Sequence, residues 1–211
     1  MIALSQYRSL DKINEIVALV KPRVVEWRDF IPLLSTDTSK DQPGTMTAWY
    51  YLYVKDNIAK YKTDKLDESI VDFNHSLNGA EWLQMTLLPS IHLTIDPYVQ
   101  KTFGDAIDLI KTLPGIVETD FHLMSHNVIV HPHTHGRNPG TPGRYNILIN
   151  LKTPSNDNFE FVLDGKSYNF KEGEIVCFDA ELTHSAKNLS GEDWLLLILG
   201  FNSKYFEPDI V

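Results

Sequence analysis

The chain has 211 residues, 43% of them hydrophobic and 22% charged, with 11 Gly and 11 Pro. That balance fits one globular domain and excludes a disordered, collagen-like or coiled-coil chain. A net charge of −9 points away from nucleic acid or an anionic membrane as a partner, and the single cysteine, Cys177, excludes an internal disulfide or a cysteine-built zinc site.

The N-terminal residues Met1 to Arg8 lack the charged-then-apolar layout of an export signal, and the longest apolar run, Trp194 to Leu199, is too short to span a bilayer. The expectation is a soluble, cytoplasmic protein. Leu10, Ile13, Ile16, Val17 and Val20 recur at helical spacing, and Pro22 is expected to end that helix. After a polar loop, Met46 to Tyr61 reads as a second helix and Leu66 to Phe73 as a shorter one. A further helix is expected from Thr102 to Thr112, with a Thr102/Asp105 capping pattern and an apolar face of Phe103, Ile107 and Ile110.

After Pro114 the pattern changes to short strands: Val128 to Val130, Tyr145 to Leu151, Asn158 to Leu163, Lys166 to Phe170, Glu174 to Phe178 and Trp194 to Phe201. Asp164-Gly165 signals a two-residue hairpin, whose type I′ turn needs positive φ at both positions. Many short strands in succession point to a sandwich or jelly-roll barrel. The chain therefore divides into a helical region, 1–95, packed on a β core, 96–211, within one compact unit.

Three of the eight histidines fall within His131-Pro132-His133-Thr134-His135. Alternate strand residues face the same side, so His131, His133 and His135 can share one face. His184 precedes the last strand, where it can meet them across the mouth of a barrel. Imidazoles converging there would make a mononuclear metal site with open positions. A solvent-exposed His-rich loop is the plainer reading of the cluster alone.

The string from Phe121 to Phe201 resembles the aspartyl/asparaginyl β-hydroxylase family of Fe(II)/2-oxoglutarate oxygenases, to which bacterial proline hydroxylases are related. The resemblance covers roughly residues 100–205. It is carried by Phe121-His122-Leu123-Met124, Pro132-His133-Thr134, Arg144 to Leu151, Gly173-Glu174, Phe178-Asp179, His184 and Asn188. It implies a mainly β fold with N-terminal helices, the core being a double-stranded β-helix (jelly roll, cupin-like). It also implies Fe(II) and 2-oxoglutarate as cofactors, a small-molecule or peptide substrate, and hydroxylation of an amino acid or peptidyl side chain.

By the same resemblance His133 and His184 are the iron-binding, catalytic histidines. His135 stands where many of these oxygenases have an Asp; it either completes a three-histidine set or points away. His131 is expected beside the ligands rather than among them. Arg144 corresponds to the arginine that helps hold a cosubstrate or substrate carboxylate, and Asn146 to a position that contacts cosubstrate. The family's anchoring arginine, ten residues after the second histidine, is replaced by Trp194, and no basic residue occurs between Asn188 and Asn202. His122, if charged, or Lys187 or Lys166 are the substitutes the sequence offers. Asp179 reads as a structural acceptor and Cys177 as a small core residue. Two rival readings stay open. One is a cupin-like dioxygenase with a three-histidine site that does not use 2-oxoglutarate; the other is a non-catalytic barrel that has lost its cosubstrate anchor.

Overall fold

Alternation of side chains along the strands divides this protein into a helix-covered core and a hollow interior. The computed structural model describes residues 10–24, 50–53, 82–89, 95, 97–124, 128–135 and 143–205. They form helices α1 (Leu10–Val24) and α2 (Pro97–Lys111) and strands β1 (Tyr50–Tyr53), β2 (Trp82–Leu88), β3 (Ile116–Met124), β4 (Val128–His133), β5 (Arg144–Lys152), β6 (Phe159–Leu163), β7 (Lys166–Tyr168), β8 (Ile175–Asp179), β9 (His184–Asn188) and β10 (Trp194–Asn202). A short 3-10 turn, Ser203–Tyr205, follows.

The strands make a six-stranded sheet in the order β1-β2-β3-β10-β5-β8 and a four-stranded sheet in the order β4-β9-β6-β7. All pairings are antiparallel, and four of them nest: β6 with β7, β5 with β8, β4 with β9, β3 with β10. The chain is thus a long two-stranded ribbon rolled up so that successive segments alternate between sheets. That topology is a double-stranded β-helix. The ribbon's tip is Asp164-Gly165, with φ of 48° and 74°, as a two-residue hairpin with this sequence requires.

On the larger sheet, odd positions of β3, β5 and β10 (Phe121, Leu123, Ile147, Ile149, Leu195, Leu197, Leu199) join Ile13, Ile16, Val20, Phe103, Ile107 and Ile110 of the helices in one buried core. Each such side chain, taken out of water, contributes about 1.5–3 kcal/mol. Even positions face the second sheet. There Leu148, Trp194 and Leu196 pack with Val130, Phe159, Phe161 and Phe178. Cys177 lies on the helix side, 1% exposed, and burial pushes its thiol up to about 12, so it behaves as a core residue.

Four expectations change. Pro22 does not end α1; it sits in the last turn, and the helix runs on to Val24, which is fully buried. Arg23, beyond the proline, forks onto Asp105 at 2.5 and 2.6 Å and donates to the Thr102 carbonyl, which ties that last turn to α2 and holds Asp105 near 2. The third helix begins earlier, at Pro97, and kinks at Phe103 (φ −122°, ψ 16°), so the Thr102/Asp105 pattern marks a break within α2. The helix read over Met46 to Tyr61 is overturned at Tyr50–Tyr53, which pairs as a strand with β2; three tyrosines in four residues favour a strand over the helical pattern. The remainder of that segment, and Leu66 to Phe73, lie outside the described residues. The helical reading of 1–95 therefore holds only for α1 among the described residues, because β1 and β2 belong to the main sheet. No helix among the described residues is long and apolar enough to cross a membrane.

The ribbon tip is testable. Gly165 is open to space, so a side chain there meets only the penalty of its positive φ. Gly165→Ala is expected to cost about 1 kcal/mol and to lower Tm by about 2–4 °C in calorimetry.

Candidate metal centre and cavity

β4 carries one extra residue relative to β9. Val130 pairs with Ala186, but the next rung joins His133 to His184, with the irregularity lying between. Pro132 has no N–H to give to a ladder, and a bulge is where a proline is tolerated. The bulge turns His133 inward, opposite His184. His135 follows on the same side, its backbone N–H bonded to the Ala180 carbonyl at 3.0 Å.

The three rings close on one point. Centroids are 4.3 Å apart for His133 and His184, 5.0 Å for His135 and His184 and 5.3 Å for His133 and His135. One ring nitrogen from each can lie within 4.8 Å of the others. Nδ1 of His184 lies 2.8 Å from the Leu182 carbonyl. A proton on that nitrogen leaves Nε2 with the lone pair, the arrangement a metal-ligating histidine needs. Burial, opposed by the bond to the Leu182 carbonyl, pulls His184 down to about 4, so it is a neutral donor at physiological pH. His135 is more open to solvent, and its imidazole is lowered by partial desolvation and then by His184 and Arg144. Such a set of nitrogen donors suits Fe(II), among other first-row ions. His135 thus joins His133 and His184; the side chain of His131 is outside the described ones. His75, His92 and His126 also lie outside the described residues.

The histidines stand at one side of a cavity of about 310 Å³ between the two sheets. Phe161, Phe178, Leu148, Leu196 and Ile198 form apolar walls, and Gln84, Glu118, Asp120, His122, Arg144 and Asn146 a polar one. Arg144 crosses β10 to reach Glu118 on β3, and its Nε donates to Asn146 Oδ1 at 2.9 Å. It can cross because Gly200 lies beneath it: a Cβ there would sit 2.9–3.0 Å from the guanidinium. Gly200 is the partner of both Glu118 and Asn146 in the ladder, so the missing side chain opens the path between them.

The other expected anchors are placed differently. His122 lines the cavity, but burial and then Arg144 pull its imidazole down to about 3, so it is a neutral ring and not a substitute cation. Lys187 is exposed and bonded to Glu160 at 2.5 Å, and Lys166 is exposed; neither lines the cavity. Trp194 is fully buried, its Nε1 donating to Asn150 Oδ1 at 3.0 Å and its ring lying edge-on to Phe159. Asp179 accepts the Glu181 N–H at 2.9 Å, a turn-capping role. Asn188 bonds the Met124 and Glu192 carbonyls, fastening β9 to the end of β3.

Sequence reasoning passed over Gln84, Thr86, Glu118 and Asp120. The signal was the spacing Glu118-Asp120-His122, which puts two carboxylates on the face of His122. Asp120 accepts from Thr86 at 2.5 Å, and burial raises its carboxyl to about 6.

A family model described as aspartyl/asparaginyl beta-hydroxylase matches residues 50–203. The chain belongs to the aspartyl/asparaginyl β-hydroxylase family. Its match begins at β1, so the family's shared region includes the two strands that precede α2. No curated protein matches this hydroxylase-family chain. Among solved structures, it is similar to a 2OG-Fe(II) oxygenase family oxidoreductase from Burkholderia pseudomallei, at 14% identity and a TM-score of 0.41, over 57% of this chain and 68% of that one. It is also similar to a Cupin 2 conserved barrel domain protein from Salinispora arenicola CNS-205, at 15% identity and a TM-score of 0.37, over 69% and 92%. A third likeness is to the Schizosaccharomyces pombe Cnp3 cupin domain, at 11% identity and a TM-score of 0.35; 43% of this chain spans 58% of that domain.

Two outcomes follow from this geometry. The raised Asp120 carboxyl contributes stability that is fully present below its unfolded value of 3.8 and is lost as pH rises through about 6, a change on the order of 3 kcal/mol. Asp120→Asn is therefore expected to be more stable than the parent at pH 7.5 but not at pH 4, as read by urea unfolding at both. Trp194→Arg buries a charged guanidinium against Phe159 in place of the indole that donates to Asn150 Oδ1. It should cost on the order of 3–5 kcal/mol; a variant as stable as the parent in thermal unfolding would show that the indole fills a replaceable plug.

Proposed function

We propose that this chain is an Fe(II)-dependent oxygenase that takes 2-oxoglutarate as cosubstrate and hydroxylates an amino acid or peptidyl side chain in the cavity. Membership of the hydroxylase family supports the reaction class. The observation that carries the reading is the meeting of His133, His135 and His184 on one side of a cavity that also presents a positioned arginine.

His133, His135 and His184 would hold the ion, and Fe(II) held there supplies the dioxygen chemistry that couples decarboxylation of a 2-oxo acid to C–H hydroxylation. The protein's own part is positioning. With the Leu182 carbonyl accepting a proton from Nδ1, Nε2 of His184 would be the nitrogen left to ligate. Asn146 and Glu118 fix the guanidinium of Arg144, the one cation of the cavity wall among the described residues, and a carboxylate of the cosubstrate would be received there. Phe161, Phe178 and Leu196 give the cavity apolar walls, and a low-dielectric surround strengthens each of these polar contacts. A ligand set without a carboxylate leaves the ion with its full positive charge, which favours an anionic cosubstrate.

Trp194 favours a second reading. It closes the position at which the family resemblance puts an anchoring arginine, so a three-histidine dioxygenase that does not use 2-oxoglutarate is the alternative. One assay separates the two. Fe(II)-loaded protein given 2-oxoglutarate and oxygen, in the presence of a panel of free amino acids, is expected to form succinate, and His184→Ala is expected to lose both iron (by elemental analysis) and succinate formation while keeping its circular dichroism. Iron without succinate would favour the second reading. Unchanged iron content in His184→Ala would remove the metal centre from both.

A further inference from the structure

One wall of the cavity carries a charge that the metal chemistry leaves unused. Glu118, Asp120 and His122 occupy alternate positions of β3, and all three line the cavity. Glu118 is paired with Arg144. Asp120 is 4% exposed, and among the described residues it forms no ion pair; its donors are the uncharged Thr86 hydroxyl and the Gln84 amide.

A buried carboxylate without a cation is costly. The fold does not call for it, since β2 and β3 are already joined along their backbones and an asparagine would accept the same two hydrogen bonds without charge. We propose that Asp120, with Glu118 and Gln84 beside it, receives a positively charged group of the substrate, a primary or secondary ammonium. This rests on the reading of the cavity as an oxygenase pocket and names the charge class of its substrate.

The charge balance supports it. Glu118 offsets Arg144, so Asp120 leaves this wall with one negative charge in excess, and neutral His122 does not cancel it. An ammonium removes the excess and donates to the carboxylate oxygens. A neutral or anionic group at that point leaves the charge buried and uncompensated.

The probe is n-butylammonium, with n-butanol as the neutral control, titrated by NMR into the full chain with and without added Fe(II), under nitrogen. At pH 7.5 butylammonium is expected to bind about tenfold more tightly than butanol, and Asp120→Asn is expected to abolish that preference, in both metal states. Equal binding of the two probes, or a preference retained by Asp120→Asn, would overturn the proposal. Should the variant fail to fold, the parent chain decides. The charged and titratable groups facing Asp120 are Glu118 and His122 on its own strand and Arg144 from β5; β2 presents only Gln84 and Thr86, and β10 only Ile198. As Asp120 takes up its proton below about pH 6, the preference should fall; a preference unchanged at pH 5 would sink the proposal. Because this readout needs no turnover, a chain that binds no iron counts against the oxygenase reading, and a chain with no amine preference counts against this one.

Discussion

Two imidazoles face each other across a single rung of the β4·β9 ladder, and the rest of the site is arranged around that rung. Its cause is local. A proline cannot donate to the ladder, the strand gains one residue at that point, and the gain reverses which side of the strand looks inward. Without the extra residue, strict alternation from the buried Val128 and Val130 would turn Pro132 toward the interior and His133 away from it. The meeting of the histidines therefore depends on a defect in strand pairing more than on the strand itself.

The main sheet adds the second constraint. Its two faces have different tasks, one packing against α1 and α2 and the other lining a cavity. Because alternation assigns every residue to one face or the other, polar side chains reach the cavity without disturbing the core behind them. Arg144 and Glu118 show how far this goes. They belong to strands on either side of β10 and meet only because the intervening residue is a glycine. An alanine there would press on the guanidinium from below.

Much of this was legible in the sequence where a local rule decides the outcome. The Asp164-Gly165 turn, the strands β5, β8 and β10, and the apolar face of α1 all follow from short-range chemistry. His133 and His184 were recognisable because their neighbours resemble a known family. What could not be read depends on pairing. Tyr50–Tyr53 and Trp82–Leu88 show no clean alternation; β3 offers Trp82–Leu88 an edge, and that strand in turn offers one to Tyr50–Tyr53. Glu118 and Asp120 look like solvated strand residues until β2 and β10 are placed on either side. Trp194 occupies a position that family likeness assigns to a cation, and only its bond to Asn150 shows that the indole is a closed part of the interior. Pro22 was read as a stop because its missing N–H costs a helix one bond; Arg23, fastened to α2, holds the turn that follows.

The nesting of the ribbon has a consequence for any shortened version of the molecule. The hairpin at the tip closes the smallest loop, and each pair outward closes a larger one at greater entropic cost. His133 lies on the outgoing arm and His184 on the returning arm. A fragment ending before β9 would carry His133 and His135 without His184, and one starting after β4 would lack His133. Nearly the entire double arm must be synthesised before the three histidines can meet, so their convergence marks the completion of the barrel.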